Sequence, residues 1–574
     1  MKKNIALLIA FLMMATALSA LAETPVTLPV TDTPVTYSVI TSFQKDFSQL
    51  NIDSLAQTEG YKEFMKRTGI NLNISHSTVN GYREAYNIML ASGEYPDIVD
   101  ICPELGMVNA YPGGLDAAIE DGFLLRLNEL AEEYMPNYWA LINSSPELRR
   151  EAFTDGGNLA VLFTVFVPVQ HSWYGPMVRQ DWLDDLGLET PVTYDDWHNM
   201  LTLFKTEKGA EAPLLLPPGG ICTTSRHCFL ISGFGAVNDF MLDEEGKMTY
   251  GPITEGFRKY IETMAQWYQE GLIDPDFYTR ADGVVPDTAL TNTGKAGAWL
   301  EIYTGIPNHA MQSEDPNIHV VAVPSPVEKA GDVIPFNRTG GYVGVPGWGV
   351  TTACKDPIPF LKAFDYLYTE EGRLLGDFGG KEGDTYVMVD GKPQFTEKIY
   401  ASPEGITMSA AMLKYAMSEA PKQYNYTREM VGVSQDVIDA ADIWNSNVCP
   451  DEESRLLSQM ITMNVEEGEK FNAIMADVQT YVSENVVKFI IGERPLSEYD
   501  DFNVGAAFRN AAVVSTTYAL LSRCGLEPEE YFTHEDFLGV FDFNTPSTVA
   551  ALGTAVSVAS EQVLRQIEVT IKNY

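Results

Sequence analysis

Residues 254–271 read TEGFRKYIETMAQWYQEG and decide how the surrounding chain is expected to fold. Apolar side chains recur there at spacings of three and four residues, which predicts an amphipathic helix with one face packed on a sheet. Gly271 follows as the left-handed residue that ends such a helix. The apolar face consists of Phe257, Tyr260, Ile261, Met264, Trp267 and Tyr268.

Strand-like runs lie on both sides of this helix, and further helices separate them. Thr193 with Asp196 three residues later is a variant of the capping box and opens a second helix, and a third is predicted over 357–375. From about 405 to 491 the pattern predicts helices and little strand. Alternating strands and helices are typical of an α/β fold. The predicted strands lie at 37–40, 71–75, 97–101, 159–167, 295–302, 318–323 and 342–345.

The size and charge of the chain exclude several classes of protein. Its 574 residues exceed a single domain of about 100 to 200 residues, and 45% of them are hydrophobic, enough for real cores. It carries 79 acidic against 38 basic residues, a formal net charge of −41, which repels nucleic-acid backbones and anionic membrane surfaces. We therefore expect a neutral or cationic ligand, or a protein partner, and no nucleic acid.

The first 22 residues, MKKNIALLIAFLMMATALSALA, have the pattern of a signal peptide. Two lysines precede an apolar run that ends in small residues, so cleavage is expected after Ala22, with a linker over 23–35. The alternative is an uncleaved anchor, because the run from Ile5 to Ala22 is long enough to approach a membrane span. The nearest cysteine after the run is Cys102. We expect an exported protein, periplasmic or extracellular, without a lipid anchor at a lipobox cysteine.

Motifs for catalysis or metal binding are missing from the sequence. None of the seven histidines forms an i, i+4 pair, and neither a G-x-S-x-G elbow nor a phosphate-binding G-x-x-x-x-G-K-[ST] loop occurs. The acidic loop at 243–247 is too short for a calcium-binding loop, so a structural Ca²⁺ has no support. Cys222 and Cys228 are close enough to close a small loop by a disulfide, and this pairing stays open. We expect no enzyme activity, no metal and no cofactor.

Several aromatic residues lie in polar, turn-rich stretches. Aromatic faces bordered by carboxylates and arginine are how proteins hold neutral sugars, so these stretches predict a carbohydrate cleft. The alternative is that each ring packs under a loop. The residues concerned are Trp173 and Tyr174 in QHSWYG, Trp299 and Tyr303 on either side of Glu301, and Trp348 in PGWG.

Five longer stretches resemble the bacterial extracellular solute-binding proteins of ABC importers, family 1. They are most similar to the oligosaccharide-binding branch that includes maltose-binding protein, and they follow the family's order from about residue 36 to 500. The stretches are EYPDIVDI (94–101), DWLDDLGLETPVTYDDWHNMLTLFK (181–205), YIETMAQWYQEGLIDPDF (260–277), TGKAGAWL (293–300) and GYVGVPGWGVTTACKDPIPFLKAFDYLYTEEG (341–372).

The resemblance implies a two-lobed periplasmic-binding-protein fold of type II, with α/β lobes joined by hinge crossovers and a helical C-terminal part. Crossovers are implied near 161–175, 298–305 and 342–350. Residues 505–574 fit no part of the family pattern and form a C-terminal extension of unknown role. The implied lobes are 36–165 with 300–345, and 166–299 with 346–504.

The resemblance also implies where a ligand would bind, at strand ends and the loops after them. The segment from Asp100 to Glu104 would line the first lobe, and the other candidates would lie at the three crossovers. The implied ligand-binding residues are Asp100, Glu104, His171, Trp173, Tyr174, Arg179, Trp299, Glu301, Tyr303 and Trp348.

The expected function is that of a receptor. It would capture a carbohydrate, an oligosaccharide, in a cleft between the lobes and deliver it to the membrane subunits of an ABC permease, acting as a monomer. Two alternatives remain open from the sequence: a secreted carbohydrate-active enzyme, and a receptor for peptides or other non-sugar solutes, including one that signals to a sensor kinase.

Overall fold

The chain divides into two compact units in a computed structural model. The first unit comprises residues 1–173, 338–441 and 457–468, and the second comprises 174–337, 442–456 and 469–574. The structure describes residues 23–43, 49–101, 110–167, 172, 174–216, 229–243, 246–279, 288–306, 309, 312–335, 337, 341–400, 402–424, 435–449, 465–499, 552, 556 and 560.

The described strands lie in two larger sheets and two hairpins. In chain order they are β1 Val35–Phe43, β2 Ile70–Thr78, β3 Ile98–Asp100, β4 Val161–Phe166, β5 Tyr174–Arg179, β6 Ala212–Leu215, β7 Phe240–Leu242, β8 Met248–Tyr250, β9 Ala296–Ile302, β10 Val320–Ala322, β11 Val343–Val350, β12 Tyr386–Val389, β13 Lys392–Phe395 and β14 Gln423–Tyr424.

The described α-helices pack around these sheets. They are Glu59–Thr68, Val79–Ser92, Gly114–Glu120, Asn128–Tyr134, Pro136–Ile142, Pro146–Ala152, Gln180–Leu186, Tyr194–Thr206, Phe229–Ser232, Glu255–Gln269, Thr288–Thr291, Ile358–Asp365, Glu370–Phe378, Glu397–Tyr400, Met408–Tyr415, Gln435–Asn445 and Val465–Ile491. None of the helices in the described part of the chain is long and apolar enough to cross a membrane.

The first unit is built on a six-stranded sheet in the order β14-β4-β11-β3-β1-β2. β1 runs parallel to β2 and β3, whereas β11 is antiparallel to both of its neighbours, β3 and β4. Strand side chains such as Tyr37 and Trp348 are buried against Phe360 and Phe364 of helix Ile358–Asp365. This core brings together residues that are more than 300 positions apart in sequence.

The second unit is built on a four-stranded sheet in the order β10-β5-β9-β6. β5 is antiparallel to β9 and β10, and β6 is parallel to β9. The helix predicted from 254–271 is observed as Glu255–Gln269, with Gly271 at a φ of 66°. Its predicted apolar face is buried except for Tyr268, which is only partly buried. The capping box is also confirmed, because Thr193 accepts from the Asp196 N–H and the Asp196 carboxylate accepts from the Thr193 N–H.

Local structure departs from the prediction at several points. The strands β5, β6, β7, β8, β12 and β13 were not predicted, and two further differences have identifiable causes. The helix predicted over 357–375 is two helices, because the Thr369 side chain accepts from the Gly372 N–H and begins a second helix, Glu370–Phe378. The two-residue strand β14 was not predicted within the helical stretch. Two residues are too few to show the alternation of apolar and polar side chains that distinguishes a strand from a loop.

The units also divide the chain differently from the implied lobes. Residues 300–337 lie in the second unit, because β9 pairs with β5 as far as Ile302. Residues 346–441 lie in the first unit, because β11 pairs with β3 and β4. Strand periodicity shows that a strand exists and does not show which sheet it joins. The predicted signal segment, the Cys222–Cys228 pair and most of the C-terminal extension lie outside the described residues.

Candidate functional site

Asp100 stands at the carboxyl end of β3 in the first unit. Its side chain is only 3% exposed, and its Oδ2 accepts a 2.6 Å hydrogen bond from the Thr41 hydroxyl of β1. The Tyr82 hydroxyl donates to the Asp100 carbonyl oxygen at 2.8 Å. Asp100 is thus held at a strand end, the position expected from the sequence, by a neighbouring strand and by helix Val79–Ser92.

Trp348 lies beside Asp100, because β11 and β3 place the two residues directly opposite each other. Its indole is fully buried in the first unit, with the ring centroid 5.2 Å from that of Phe364. For this indole to stack on a sugar, the atoms that now cover it would have to move. Its role in ligand binding stays a prediction.

A second group of predicted residues lies at the carboxyl end of β9 in the second unit. Trp299, Glu301 and Tyr303 are all buried there. Tyr174 joins them, since β5 is antiparallel to β9 and pairs Tyr174 with Ile302. Strand pairing therefore places four predicted residues near one end of one sheet, although Tyr174 is more than 100 residues from the others in sequence. Its side chain shares the face of Ile302, opposite to the face of Trp299 and Glu301.

His309 belongs to this group and was not predicted from the sequence. Its Nε2 lies 3.1 Å from Oε2 of Glu301, and its ring meets the Trp299 ring edge to face with centroids 5.0 Å apart. His309 is 5% exposed. No spacing rule relates a histidine to a glutamate eight residues earlier, so the sequence offered no signal for this pair.

The Glu301 carboxylate is closely packed as well as paired. Its Oε1 accepts from the backbone N–H of Ile302 at 3.1 Å. A Cβ added at Gly305 would lie 2.5 Å from that same oxygen, so only glycine fits there without displacing the carboxylate. We call Trp299, Glu301, Tyr303 and His309 the β9-end cluster.

Two polar atoms of the β9-end cluster lack a hydrogen-bond partner. They are Nε1 of Trp299 and Nδ1 of His309, and both are buried. When Nε2–H of a neutral His309 ring donates to Glu301, Nδ1 is left as an acceptor, whereas the indole nitrogen is a donor. Buried polar atoms are rarely left unpaired, so the cluster has the chemistry to accept and donate hydrogen bonds to a hydroxylated molecule.

Arg179 lies at the opposite end of β5 from Tyr174, about 17 Å away for five residues of extended strand. Its fully buried guanidinium bonds to Asp181 at 2.8 Å and to Asp315 at 2.6 Å, and it lies over the Trp182 ring. The pKa of Asp315 is lowered by the Asn317 backbone N–H and further by Arg179. The structure thus does not bring Arg179 to the β9-end cluster, and its guanidinium joins elements within the second unit.

Three predicted residues, Glu104, His171 and Trp173, lie outside the described residues. Across the residues that the structure does describe, no group of three or more His, Cys, Asp or Glu could hold a metal ion. The two described cysteines, Cys354 and Cys449, are buried thiols.

Known proteins match this chain in both sequence and fold. The model of the family described as bacterial extracellular solute-binding protein matches residues 48–374. Lipoprotein LipO of Bacillus subtilis (strain 168) is 23% identical over 458 residues, which cover 77% of this chain and 84% of LipO.

Two solved structures are similar over nearly all of their length. The alginate-binding protein AlgQ2, solved without calcium ion, matches with a TM-score of 0.62 at 22% identity, covering 84% of this chain and 96% of AlgQ2. An HMO-binding, ABC-transporter-associated solute binding protein from Bifidobacterium longum infantis ATCC 15697 matches with a TM-score of 0.65 at 15% identity, covering 84% and 96%. At these identities the similarity shows the fold alone.

Proposed function

The chain belongs to the family of bacterial extracellular solute-binding proteins, whose model matches more than half of its length, and from this premise we propose that it is the substrate-binding receptor of an ABC importer. The solute is a carbohydrate, an oligosaccharide, which the receptor passes to the membrane subunits of the permease. Two proteins that share the fold carry names that state binding of alginate and of HMO, respectively.

The observation that carries the carbohydrate assignment is the β9-end cluster. A buried carboxylate paired with a histidine, an indole donor and a tyrosine lie within one strand end and the turn after it. Aromatic surface and a small number of fixed polar groups are what a sugar site requires. We place the ligand contacts of the second unit at Trp299, Glu301, Tyr303 and Tyr174, and add His309 to them.

The ligand contacts of the first unit are proposed at Asp100 and Trp348, which share one end of the six-stranded sheet. Glu104, His171 and Trp173 remain part of the proposal by their position in the sequence. Arg179 is retained as a support of β5, since its Nε and Nη2 bond to Asp181 and Asp315 and it lies at the other end of β5 from Tyr174.

A thermal-shift screen tests the proposal. The purified mature chain is heated with alginate, fructo-, malto- and human milk oligosaccharides, each over a range of concentrations. A ligand that binds only the folded state raises the melting temperature by an amount that grows with concentration. We expect one class of oligosaccharide to do so, and glucose and a tripeptide of matched concentration serve as controls. A shift with peptides alone would favour a peptide receptor instead.

The receptor is proposed to release its ligand chemically unchanged. Incubation of the stabilising oligosaccharide with the protein, followed by chromatography of the sugar, is expected to return only the starting material. Shorter products that disappear in the Glu301→Gln variant would identify a carbohydrate-active enzyme.

We also propose that the protein is exported as a soluble monomer after cleavage behind Ala22. The relative LipO is named a lipoprotein, whereas the first cysteine of this chain is Cys102. Mass spectrometry of the chain isolated from cells is expected to give an unmodified polypeptide that begins at Glu23. A retained leader or an acyl mass would overturn this part of the proposal.

A further inference from the structure

The chain passes between the two units at five boundaries, and three of them are close to one tryptophan. These three boundaries lie at 173/174, 337/338 and 441/442. Trp444 is the third residue of the second unit after the last of them. It belongs to helix Gln435–Asn445, which carries the chain across the boundary.

Trp444 holds the other two crossing segments on the second-unit side. Its indole Nε1 donates to the carbonyl oxygen of Pro176 at 3.0 Å, three residues after the first boundary. Its own carbonyl oxygen accepts from the side-chain amide of Asn337, the last residue before the second boundary. The indole is fully buried. One residue therefore ties three separated parts of the chain together where each enters or leaves the unit.

The indole of Trp444 packs directly against the backbone of β5. A Cβ added at Gly175 would lie 2.6 Å from ring atoms of Trp444, closer than real side chains approach. The glycine is thus what allows β5 to begin directly against the indole. Because Gly175 pairs with Glu301 on β9, the position of the indole is also linked to the β9-end cluster.

A short parallel pairing reinforces this arrangement. Ile334 donates its N–H to Asn447 at 2.8 Å and accepts from Cys449 at 2.9 Å. The Asn447 side chain donates to the Ser325 carbonyl at 2.9 Å. The segments before the second boundary and after the third are therefore fixed to each other inside the second unit.

The same crossing is anchored on the first-unit side. Glu151 is buried and accepts the Tyr342 N–H at 2.7 Å, and a Cβ at Gly341 would lie 2.4 Å from its carboxylate. Asn337 before the second boundary and Tyr342 after it are therefore each held by a hydrogen bond within their own unit.

We propose that Trp444 is the positioning residue of the ligand-driven movement between the units, holding three crossing segments in one fixed arrangement so that they turn together. This inference rests on the proposed receptor function and deepens it. Trp444 acts through Pro176, Gly175 and Asn337 and touches no ligand. Loss of the Trp444 contacts would let the three crossing segments move independently of one another. Each unit would keep its own fold, but the units would no longer share one hinge.

Hydrogen exchange of the ligand-free protein tests the inference without any knowledge of the solute. Trp444→Phe keeps an aromatic ring and loses the indole N–H, and the Pro176 carbonyl still accepts from Val323 at 3.1 Å. We expect deuterium uptake in peptides covering 174–179 and 334–337 to rise about fivefold or more, as for loss of one buried hydrogen bond. The matched control is Trp197→Phe, a fully buried tryptophan of the same unit whose Nε1 has no hydrogen-bond partner.

A second readout separates a hinge role from a merely structural one. One dye in each unit reports the distribution of distances between them by single-molecule energy transfer. Both variants remove buried volume and are expected to lower the melting temperature. For Trp444→Phe we expect a broader distance distribution as well, whereas Trp197→Phe is expected to leave the distribution unchanged. Exchange and distance distributions equal to wild type in Trp444→Phe would overturn the inference.

Two further variants decide the question if Trp444→Phe does not fold. Gly175→Ala keeps the indole and displaces it, and Asn337→Ala removes only the third contact. Faster exchange at the crossings in both supports the inference, and wild-type exchange in either refutes it. These outcomes are independent of the sugar screen, because no ligand is present. The exchange experiment would therefore still test the role of Trp444 if the proposed receptor function were wrong.

Discussion

Asp365 is a carboxylate in a place that favours its neutral form. Its side chain is almost fully buried and accepts from the backbone N–H groups of Asn137 and Tyr138 at 3.0 and 2.9 Å. Burial raises its pKa from 3.8 to about 6, although these hydrogen bonds act in the opposite direction. The carboxylate caps the start of helix Pro136–Ile142 from a distant part of the chain.

The raised pKa predicts a pH dependence of stability with a definite sign. Between about pH 4 and 6 the folded chain keeps a proton on Asp365 that the unfolded chain has lost, so the free energy of unfolding falls as the pH rises. Two pKa units correspond to up to about 3 kcal/mol. We expect the stability of wild type relative to Asp365→Asn to decrease across this window in urea unfolding. A difference that is constant with pH would contradict the assignment.

Glu301 gives a prediction about ligand affinity. Its carboxylate is 3% exposed and paired with His309, so Glu301→Gln removes the charge at nearly constant shape. If the carboxylate accepts a sugar hydroxyl, affinity falls about tenfold to a hundredfold, the value of a charge-assisted hydrogen bond. Calorimetry with the sugar found in the screen measures it. The control Glu328→Gln, in an exposed pair with Lys259, is expected to bind as wild type does.

At the scale of elements, helix caps were the most local signals and also the most predictable. The capping box of Thr193 and Asp196 was readable because both partners lie within one turn. We expect Thr193→Ala to lower the free energy of unfolding by about 1 kcal/mol. Thr202→Ala, in the middle of the same helix, is the control, since its hydroxyl bonds only to the His198 carbonyl of the preceding turn. Equal stability of the two variants would mean that the box contributes nothing.

The parts of the fold that depend on distant partners were not readable. The sequence predicts the strands β9 and β11 but not the sheets that they join. β9 pairs with β5, and β11 pairs with β3 and β4, and these partners are distant in sequence. The helix predicted over 357–375 is split at Thr369, whose side chain caps the second helix. In the sequence, Thr369 resembles an ordinary polar residue within a helix, so the pattern does not reveal the break.

The candidate site shows the same limit. Trp299, Glu301 and Tyr303 are predictable because two aromatic residues flank a carboxylate in a polar, turn-rich stretch, and all three are buried in the structure. His309 could not be found, since its pairing with Glu301 depends on the turn between them. The burial of Trp348 depends on Phe364 of a helix that follows later in the chain, which no local pattern reveals.

At the scale of the whole molecule, the net charge of −41 separates two kinds of ligand. A cation would be attracted by this field, and salt would weaken its binding, whereas a neutral sugar is indifferent to it. We expect the dissociation constant of the bound solute to change less than about twofold between 50 and 500 mM NaCl. A steep loss of affinity over that range would point to a cationic solute.

The position of β11 in the first sheet has a consequence for synthesis of the protein. β11 lies between β4 and β3, so β14-β4 and β3-β1-β2 are two fragments without it. Translation delivers β1 to β4 first, and then the whole of β5 to β10, before the central strand emerges from the ribosome. A nascent chain of this topology cannot complete its larger sheet until well past its midpoint.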